Sequence, residues 1–208
     1  MKIAIIGASA GIGLITVKQA LKKGHKVTAL ARNTVPLPEH ALLTKIQGSA
    51  TSATDLRKAI TGAEVVLITI GTNNKKATTL FTDTAQALMK AAIGLNLKIP
   101  VVVITGFGAG ESARYLSFFM RLVIRLLLKD QYANKTQMEE IISQSELKWE
   151  MVRPGRLTNG PLTKSYQVLP KLYPGIKIKK ISRADVAHFL LSQAENPTML
   201  YQYPALTI

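Results

Sequence analysis

The sequence predicts an α/β fold in which a doubly wound, mostly parallel β-sheet carries helices on both faces. Short β-rich runs alternate with helical patterns from the first residues onward, as in successive βαβ units. The runs 65–68 and 101–104 are continuously apolar, which is typical of parallel strands that helices cover on both sides. The final third differs, because four prolines between 154 and 174 interrupt regular structure.

The predicted elements follow one another without an obvious domain boundary. The strands are expected at 2–6, 26–31, 42–47, 64–70, 100–105 and 148–152. The helices are expected at about 11–22, 53–61, 77–94, 114–128 and 132–145. Ser182 is expected to cap a last helix ending near Ala194, because its hydroxyl can accept from free amides of the first turn. No internal repeat or linker divides the chain, so we expect a single domain over 1–208.

Composition narrows the possible chemistry. The 208 residues are 47% hydrophobic and 19% charged, well outside the disordered class. The chain has no cysteine and three widely separated histidines, so we expect no disulfide, no cysteine nucleophile and no metal site. The apolar run at the N-terminus is too short for a signal peptide, and the run 116–128, interrupted by Arg121 and Arg125, is too short to span a bilayer. We therefore expect a cytoplasmic protein.

The net charge leaves several partners open. The chain has 27 Lys and Arg against 12 Asp and Glu, a net charge of +15, which suits nucleic acid, a membrane surface or an anionic ligand. No RNA-binding motif or aromatic-interleaved basic stretch is present, so nucleic acid is not expected. A carboxylate-free run between Met151 and Ala184 instead favours an anionic ligand. Its cations are Arg153, Arg156, Lys164, Lys171, Lys177, Lys179, Lys180 and Arg183.

A glycine-rich loop joins the first predicted strand to the first predicted helix. Residues 7–13 read Gly-Ala-Ser-Ala-Gly-Ile-Gly. Glycines at such a turn let a pyrophosphate approach the backbone, and the positive end of the helix stabilises its charge. The loop lies within a βαβ unit, which is the context that makes such a motif informative. It predicts a dinucleotide site, with a purely structural tight turn as the alternative.

The residues after the second predicted strand indicate which dinucleotide binds. A site for NAD(H) usually has Asp or Glu there, to hold the ribose 2′-hydroxyl. This chain has Arg32 and Asn33. Because a guanidinium presents a planar set of donors that matches a phosphate, the pair favours NADP(H) over NAD(H). The alternative is that Arg32 is one more surface cation.

Sequence blocks over nearly the whole chain are similar to one known family. They are the glycine loop with Arg32, the runs 70–73 (IGTN) and 101–105 (VVVIT), and the blocks 135–140 (KTQMEE), 145–149 (SELKW), 152–163 (VRPGRLTNGPLT) and 181–187 (ISRADVA). The chain resembles the atypical short-chain dehydrogenases/reductases, in particular the small NAD(P)H-binding proteins of the biliverdin reductase B and flavin reductase group. The resemblance implies a Rossmann fold.

The resemblance also implies a role for individual residues. The phosphate loop would consist of Gly7, Ala8, Ser9, Gly11, Ile12 and Gly13. At the adenosine end, Arg32 and Asn33 would hold the 2′-phosphate, and Ser49 and Ala50 would border the adenine. At the other end, the ribose and nicotinamide path would be lined by Gly71, Thr72, Thr105 and Lys135, and the nicotinamide would meet Pro154, Gly155, Arg156 and Leu157. The substrate side would comprise about 107–130 and 154–181. Arg156 would hold an anionic substrate or the cofactor, with a surface ion pair as the alternative.

The family's catalytic serine and its Tyr-x-x-x-Lys pair are absent as written. Gly106 stands at the serine position, and Gln131 precedes Lys135 at the spacing where the tyrosine belongs. Tyr132 lies one residue away, a rotation of about 100° on a helix. Lys135 and Tyr132 are the candidate catalytic residues, with a solvated lysine and a packed tyrosine as the alternatives.

Two functions fit this pattern. The first is an NADPH-dependent reductase acting on a planar, anionic acceptor such as a flavin, a linear tetrapyrrole or a quinone, because such acceptors can take a proton from solvent. The second is a non-catalytic NADP(H)-binding redox sensor of the NmrA-like kind, which explains the missing relay directly.

The role of the apolar stretch 114–129 remains open. Arg121, Arg125 and Lys129 repeat every four residues and form a cationic stripe on it. A substrate lid, a contact with a membrane surface or a second subunit, and ordinary core packing all remain open.

Overall fold

An eight-stranded, mostly parallel sheet forms the centre of the molecule, which a computed structural model describes for residues 1–72, 77–95 and 98–208. The strand order is β3-β2-β1-β4-β5-β6-β10-β8, and β8 runs antiparallel to β10. A small parallel pair, β7 with β9, lies apart from this sheet. The strands are β1 (Lys2–Ile6), β2 (Lys26–Ala31), β3 (Leu43–Gln47), β4 (Val65–Ile68), β5 (Pro100–Ile104), β6 (Lys148–Pro154), β7 (Arg156–Thr158), β8 (Gln167–Leu169), β9 (Lys180–Ser182) and β10 (Ala205–Thr207).

Helices cover both faces of the sheet. They are α1 (Gly11–Lys22), α2 (Ala53–Ile60), α3 (Leu80–Ala92), α4 (Phe118–Val123), α5 (Lys129–Ser143) and α6 (Arg183–Glu195). Successive residues of a strand point to opposite faces of the sheet, so each face has its own hydrophobic core. Ile5 packs with side chains of α1 and α6 on one face, and Ile6 packs with side chains of α2, α3 and α5 on the other. This arrangement confirms the predicted doubly wound α/β fold.

The predicted helix 114–128 is wrong at its start. A 3₁₀ turn (Gly110–Tyr115) comes first, and Leu116 and Ser117 are extended. The Ser117 hydroxyl accepts a hydrogen bond from the Met120 amide, so a new helix, α4, begins after it. A π-helical segment (Ile124–Leu128) then leads into α5, which starts before the expected residue 132.

Other differences concern boundaries and short strands. The helix expected over 77–94 spans Leu80–Ala92, and the strand expected over 64–70 spans Val65–Ile68. The short strands β7 to β10 were not predicted, because each has only three residues in a proline-interrupted region. No helix in the described residues is long and apolar enough to cross a membrane.

Candidate functional site

The glycine loop brings the start of α1 tightly against the end of β1. Gly7 and Gly11 have φ values of +85° and +52°, a left-handed conformation that favours glycine. A Cβ atom at Gly13 would lie 2.2 Å from the carbonyl oxygen of Gly7, so this glycine allows helix and strand to touch. Gly7, Ser9, Gly11 and Ile12 consequently line a cavity of about 830 Å³, which we call the glycine-loop cleft.

Two residues predicted to bind the phosphate do not line this cleft. Ala8 is fully buried among the side chains of the α1 core, so it supports the loop from behind. Gly13 is buried and serves the packing just described. The sequence pattern identified the loop but could not separate glycines that face a ligand from those that permit close packing.

The N-terminus of α1 has no capping side chain. Ala10 occupies the N-cap position, and the first turn has no acidic residue. Both α2 and α6 are capped by serines, Ser52 and Ser182, whose hydroxyls accept from the amide of an aspartate three residues later. The first amides of α1 therefore have no side-chain acceptor of this kind, and Gly11 and Ile12 at its start line the glycine-loop cleft. This arrangement fits an anionic group such as a pyrophosphate.

The outer end of the cleft carries Arg32 just beyond β2. Its guanidinium is exposed and makes no hydrogen bond or ion pair with any other described residue. Ser49 and Ala50 also line this end, where the Ser49 amide is fixed by the carboxylate of Asp55 at 3.0 Å. Asn33 does not line the cleft, because its side-chain oxygen accepts from the Val35 amide and belongs to its own loop. The prediction that Asn33 contacts the cofactor is therefore not supported by its position.

The inner end of the cleft includes most of the other predicted residues. Gly71, Thr72, Thr105, Lys135 and Leu157 line it, whereas Asn73 of the quoted run 70–73 lies outside the described residues. Because β1, β4, β5 and β6 run in parallel, their carboxyl ends meet at this edge of the sheet.

Sequence reasoning missed several residues of the cleft. Arg183, at the start of α6, has its Nε 4.0 Å from where a Cβ on Gly11 would lie, and it donates to Asn159 at 2.8 Å. Thr69, Ile70, Leu80, Phe81 and Gln131 also line the cleft. In the sequence Arg183 is one cation of the carboxylate-free run 151–184, and its place directly after Ser182, the N-cap of α6, was the available signal.

Lys135 and Tyr132 converge on Gly106. A Cβ atom on Gly106 would lie 3.4 Å from Lys135 Nζ and 3.5 Å from the Tyr132 hydroxyl. The ammonium of Lys135 also lies 5.1 Å from the ring centre of Tyr132 and 5.2 Å from that of Phe81. Gly106 has φ +153°, so a serine there would be strained. The tyrosine thus reaches the region of the family's relay although it lies one residue out of register.

Burial changes the acidity of both side chains. Desolvation lowers the pKa of Lys135 to about 8, and the negative charge of Glu139 acts in the opposite direction. Desolvation raises the pKa of Tyr132, so its phenol keeps its proton at neutral pH. The site therefore presents a lysine that titrates close to physiological pH beside a neutral phenol.

A buried ion-pair network supports Thr105 from below. The Thr105 hydroxyl donates to Glu139 at 2.6 Å, and Glu139 accepts two bonds from Arg153, at 2.7 and 3.0 Å. Glu111 binds the outer side of the same guanidinium at 2.7 Å. Arg153 is fully buried and its guanidinium lies over the ring of Tyr203. It was expected to contribute to the cationic run that favours an anionic ligand, but its charge is already paired with Glu111 and Glu139. The network ties β5, α5 and β6 together beneath the site.

A second cavity of about 1520 Å³ adjoins the glycine-loop cleft. We call it the apolar cavity, because Phe107, Tyr115, Leu116, Phe119, Met120, Ile176 and Ile178 form much of its wall. Pro154, Gly155, Arg156 and Tyr132 also line it, and further cations at its wall are Arg114, Lys177, Lys179 and Lys180. The two cavities share Thr105, Gln131, Lys135, Leu157 and Arg183. They therefore meet at the inner end of the cleft.

Together, the fold and the glycine-loop cleft define a nucleotide-binding Rossmann protein. A family model described as NAD(P)H-binding matches residues 7–197, and the chain belongs to that family.

Solved structures show the same fold. A short-chain dehydrogenase/reductase from Veillonella parvula, in complex with NADP, has a TM-score of 0.82 and 18% identity over 100% of this chain and 94% of its own. ChuY, an anaerobilin reductase from Escherichia coli O157:H7, has a TM-score of 0.79 and 23% identity over 100% and 97%. A protein of Streptococcus pneumoniae described as a candidate NADH-flavin reductase has a TM-score of 0.79 and 21% identity over 100% and 99%.

Proposed function

We propose that the protein is an NADPH-dependent reductase that acts on a planar, anionic acceptor of the flavin, linear tetrapyrrole or quinone type. The observation that carries the proposal is the junction of the two cavities at Thr105, Lys135 and Leu157. The glycine-loop cleft suits a dinucleotide, and the apolar cavity suits a large apolar ring system with acidic groups. The names of the similar proteins, an anaerobilin reductase and a candidate flavin reductase, support the same class of acceptor.

Different residues along the glycine-loop cleft would hold different parts of NADP(H). The amides at the start of α1 would hold the pyrophosphate, and Arg32 would bind the 2′-phosphate. Lys135 and Thr105 would position the ribose and nicotinamide near the apolar cavity. When bound, the cofactor supplies the hydride, and the protein contributes binding, orientation and exclusion of water.

The acceptor side would rely on charge and apolar contact. Arg156, Lys177, Lys179 and Lys180 are exposed at the apolar cavity, where they would attract a carboxylate or phosphate on the acceptor. Tyr132 keeps a phenol proton that it can donate in a hydrogen bond. Flavins, tetrapyrroles and quinones can also be protonated from solvent, so the presence of Gly106 in place of a serine does not prevent their reduction.

The test is NADPH oxidation with FMN, a linear tetrapyrrole and a quinone, followed by loss of the reduced nicotinamide absorbance. Arg156→Gln should raise KM for an anionic acceptor by about tenfold and leave the Kd for NADPH unchanged. The matched control is Lys171→Gln, an exposed cation outside the cavity wall. Tight NADPH binding without oxidation by any acceptor would contradict the proposal.

That outcome would favour the second candidate, a non-catalytic NADP(H)-binding redox sensor. The specific observation in its favour is Gly106, whose backbone conformation cannot readily accept the relay serine. A sensor would change its conformation or its partner on exchanging NADPH for NADP⁺. Limited proteolysis with each form of the cofactor would detect such a change.

A further inference from the structure

The surface between residues 118 and 127 is apolar, and of its exposed large apolar side chains only Phe119 lines the apolar cavity of the proposed reductase. Five large apolar side chains are exposed there among the described residues: Phe118 (83%), Phe119 (69%), Leu122 (44%), Leu126 (69%) and Leu127 (54%). We call these five residues the 118–127 patch. Helix α4, which carries three of them, buries none of its residues. Contiguous exposed apolar surface of this kind marks a contact with another molecule or a membrane.

Cations lie directly beside this patch. Arg121, Arg125 and Lys129 are exposed and recur every four residues, as Phe118, Leu122 and Leu126 do. Side chains three or four apart are neighbours on a helix, so Arg121 lies beside Phe118 in α4. Arg125, which is also exposed, follows in the π-helical segment that carries Leu126 and Leu127. No acidic residue occurs between 112 and 129, and Asp130 is the first carboxylate after the patch.

We propose that the 118–127 patch docks the protein on the surface of an anionic lipid bilayer. A short helix with apolar side chains on one side and Arg or Lys beside them is suited to lie in the plane of a membrane interface. Its cations would meet lipid phosphates, and the net charge of +15 on the whole chain attracts the protein to such a surface. The apolar side chains would enter the boundary between headgroups and acyl chains.

A second copy of this chain is a poorer occupant of the patch. In a twofold dimer the same surface of each subunit meets the other. Arg121, Arg125 and Lys129 of one copy would then approach those of the other, and between residues 112 and 130 only Asp130 offers a carboxylate against these three cations. Two molecules that each carry +15 would also repel one another. Charge complementarity therefore favours an anionic lipid surface.

Docking would also orient the apolar cavity. Phe119, Met120 and Leu128 form part of its wall, and Arg114 and Tyr115 lie just before α4. A bilayer bound at the patch would consequently lie next to this cavity. The docking proposal goes beyond the proposed reductase and does not depend on it.

The test is sedimentation with vesicles of phosphatidylcholine alone or of equal parts phosphatidylcholine and phosphatidylglycerol, at roughly 0.15 M salt. The wild type should sediment with the anionic vesicles. The triple variant Phe118→Ser, Leu122→Ser, Leu126→Ser should lose at least about tenfold in partitioning, since burial of each such side chain favours binding by roughly that factor. Arg121→Gln with Arg125→Gln should weaken binding and reduce its dependence on salt.

The matched control replaces exposed apolar residues elsewhere. Val35→Ser, Ile93→Ser and Leu162→Ser remove side chains that are 87%, 70% and 42% exposed, and together they should leave partitioning unchanged. Because every substituted side chain is exposed, each variant should keep the wild-type Kd for NADPH, which checks that it folds. This readout also separates failure of docking from failure of the nucleotide site.

Three results would overturn the proposal. The first is no sedimentation of the wild type with anionic vesicles. The second is equal partitioning of the patch variant and the wild type, which would mean that overall charge suffices. The third is a wild-type dimer in lipid-free solution that the patch variant abolishes, which would assign the patch to a second copy of the chain.

Discussion

Glu150 lies in the interior of β6 with both carboxyl oxygens buried and without a hydrogen-bond partner among the described residues. Its register partner on β5 is Val102, and both residues are fully buried. Burial raises the pKa of Glu150 from its ordinary value of 4.5 to about 8. The folded protein therefore holds this carboxyl protonated at neutral pH, whereas the unfolded chain releases the proton.

The consequence is a loss of stability as pH rises. Because the pKa is raised in the folded state, the folded protein holds the Glu150 proton more tightly than the unfolded chain does. The stability that comes from this proton is complete below about pH 4.5 and is lost progressively as pH rises through about 8. Each pH unit in this window lowers the free energy of unfolding by about 1.4 kcal/mol. The loss is about 3 kcal/mol at pH 7 and about 5 kcal/mol above pH 8.

The perturbation is Glu150→Gln, which keeps the shape of the side chain and cannot ionise. The assay is urea denaturation of both proteins at intervals between about pH 5 and pH 9. The variant should gain stability relative to the wild type at about 1.4 kcal/mol per unit up to pH 8, and the difference should then level off. Glu146→Gln, an exposed carboxylate one residue before Leu147, is the control for the same chemical exchange. Parallel pH curves for Glu150→Gln and the wild type would refute the reasoning.

Three further predictions concern the cleft and its support. Arg32→Ser should raise the Kd for NADPH by about tenfold to a hundredfold and barely change that for NADH, as calorimetry would show; an equal loss for both cofactors would contradict a 2′-phosphate contact. Affinity for NADPH should fall as pH rises through about 8, because Lys135 loses its charge there. This pH dependence should be absent in Lys135→Met and retained in the control Lys18→Met, which replaces an exposed lysine. Glu139→Gln should lower the free energy of unfolding by about 3–5 kcal/mol, since it leaves buried Arg153 without one carboxylate, and a change below about 1 kcal/mol in urea denaturation would argue against the network.

The sequence was most informative where the chemistry is local. Continuous apolar strands and the glycine loop predicted the sheet and the position of the glycine-loop cleft at its edge, because each depends on residues close together in the chain. Arg153 illustrates the limit: its partners Glu111 and Glu139 lie 42 and 14 residues away, so a composition count could not show that it is neutralised and buried.

The region 107–130 shows a second limit. An apolar stretch with cations every four residues predicted one helix over 114–128, but this pattern does not reveal where the backbone leaves the helical conformation. Leu116 and Ser117 are not helical, and Ser117 caps the new helix that begins after it. The exposure of Phe118 and Leu126 was likewise hidden, since apolar residues usually predict a buried face.

The most direct test of the central claim is a single-turnover experiment. The protein saturated with NADPH would be mixed rapidly with excess FMN, and oxidation of the bound cofactor would be followed with ordinary NADPH and with NADPH deuterated at the transferred position. If the protein is an NADPH-dependent reductase, oxidation should saturate with FMN, be far faster than that of free NADPH and be slowed by deuterium. Bound NADPH that is oxidised no faster than free NADPH by FMN, a linear tetrapyrrole or a quinone would contradict this function.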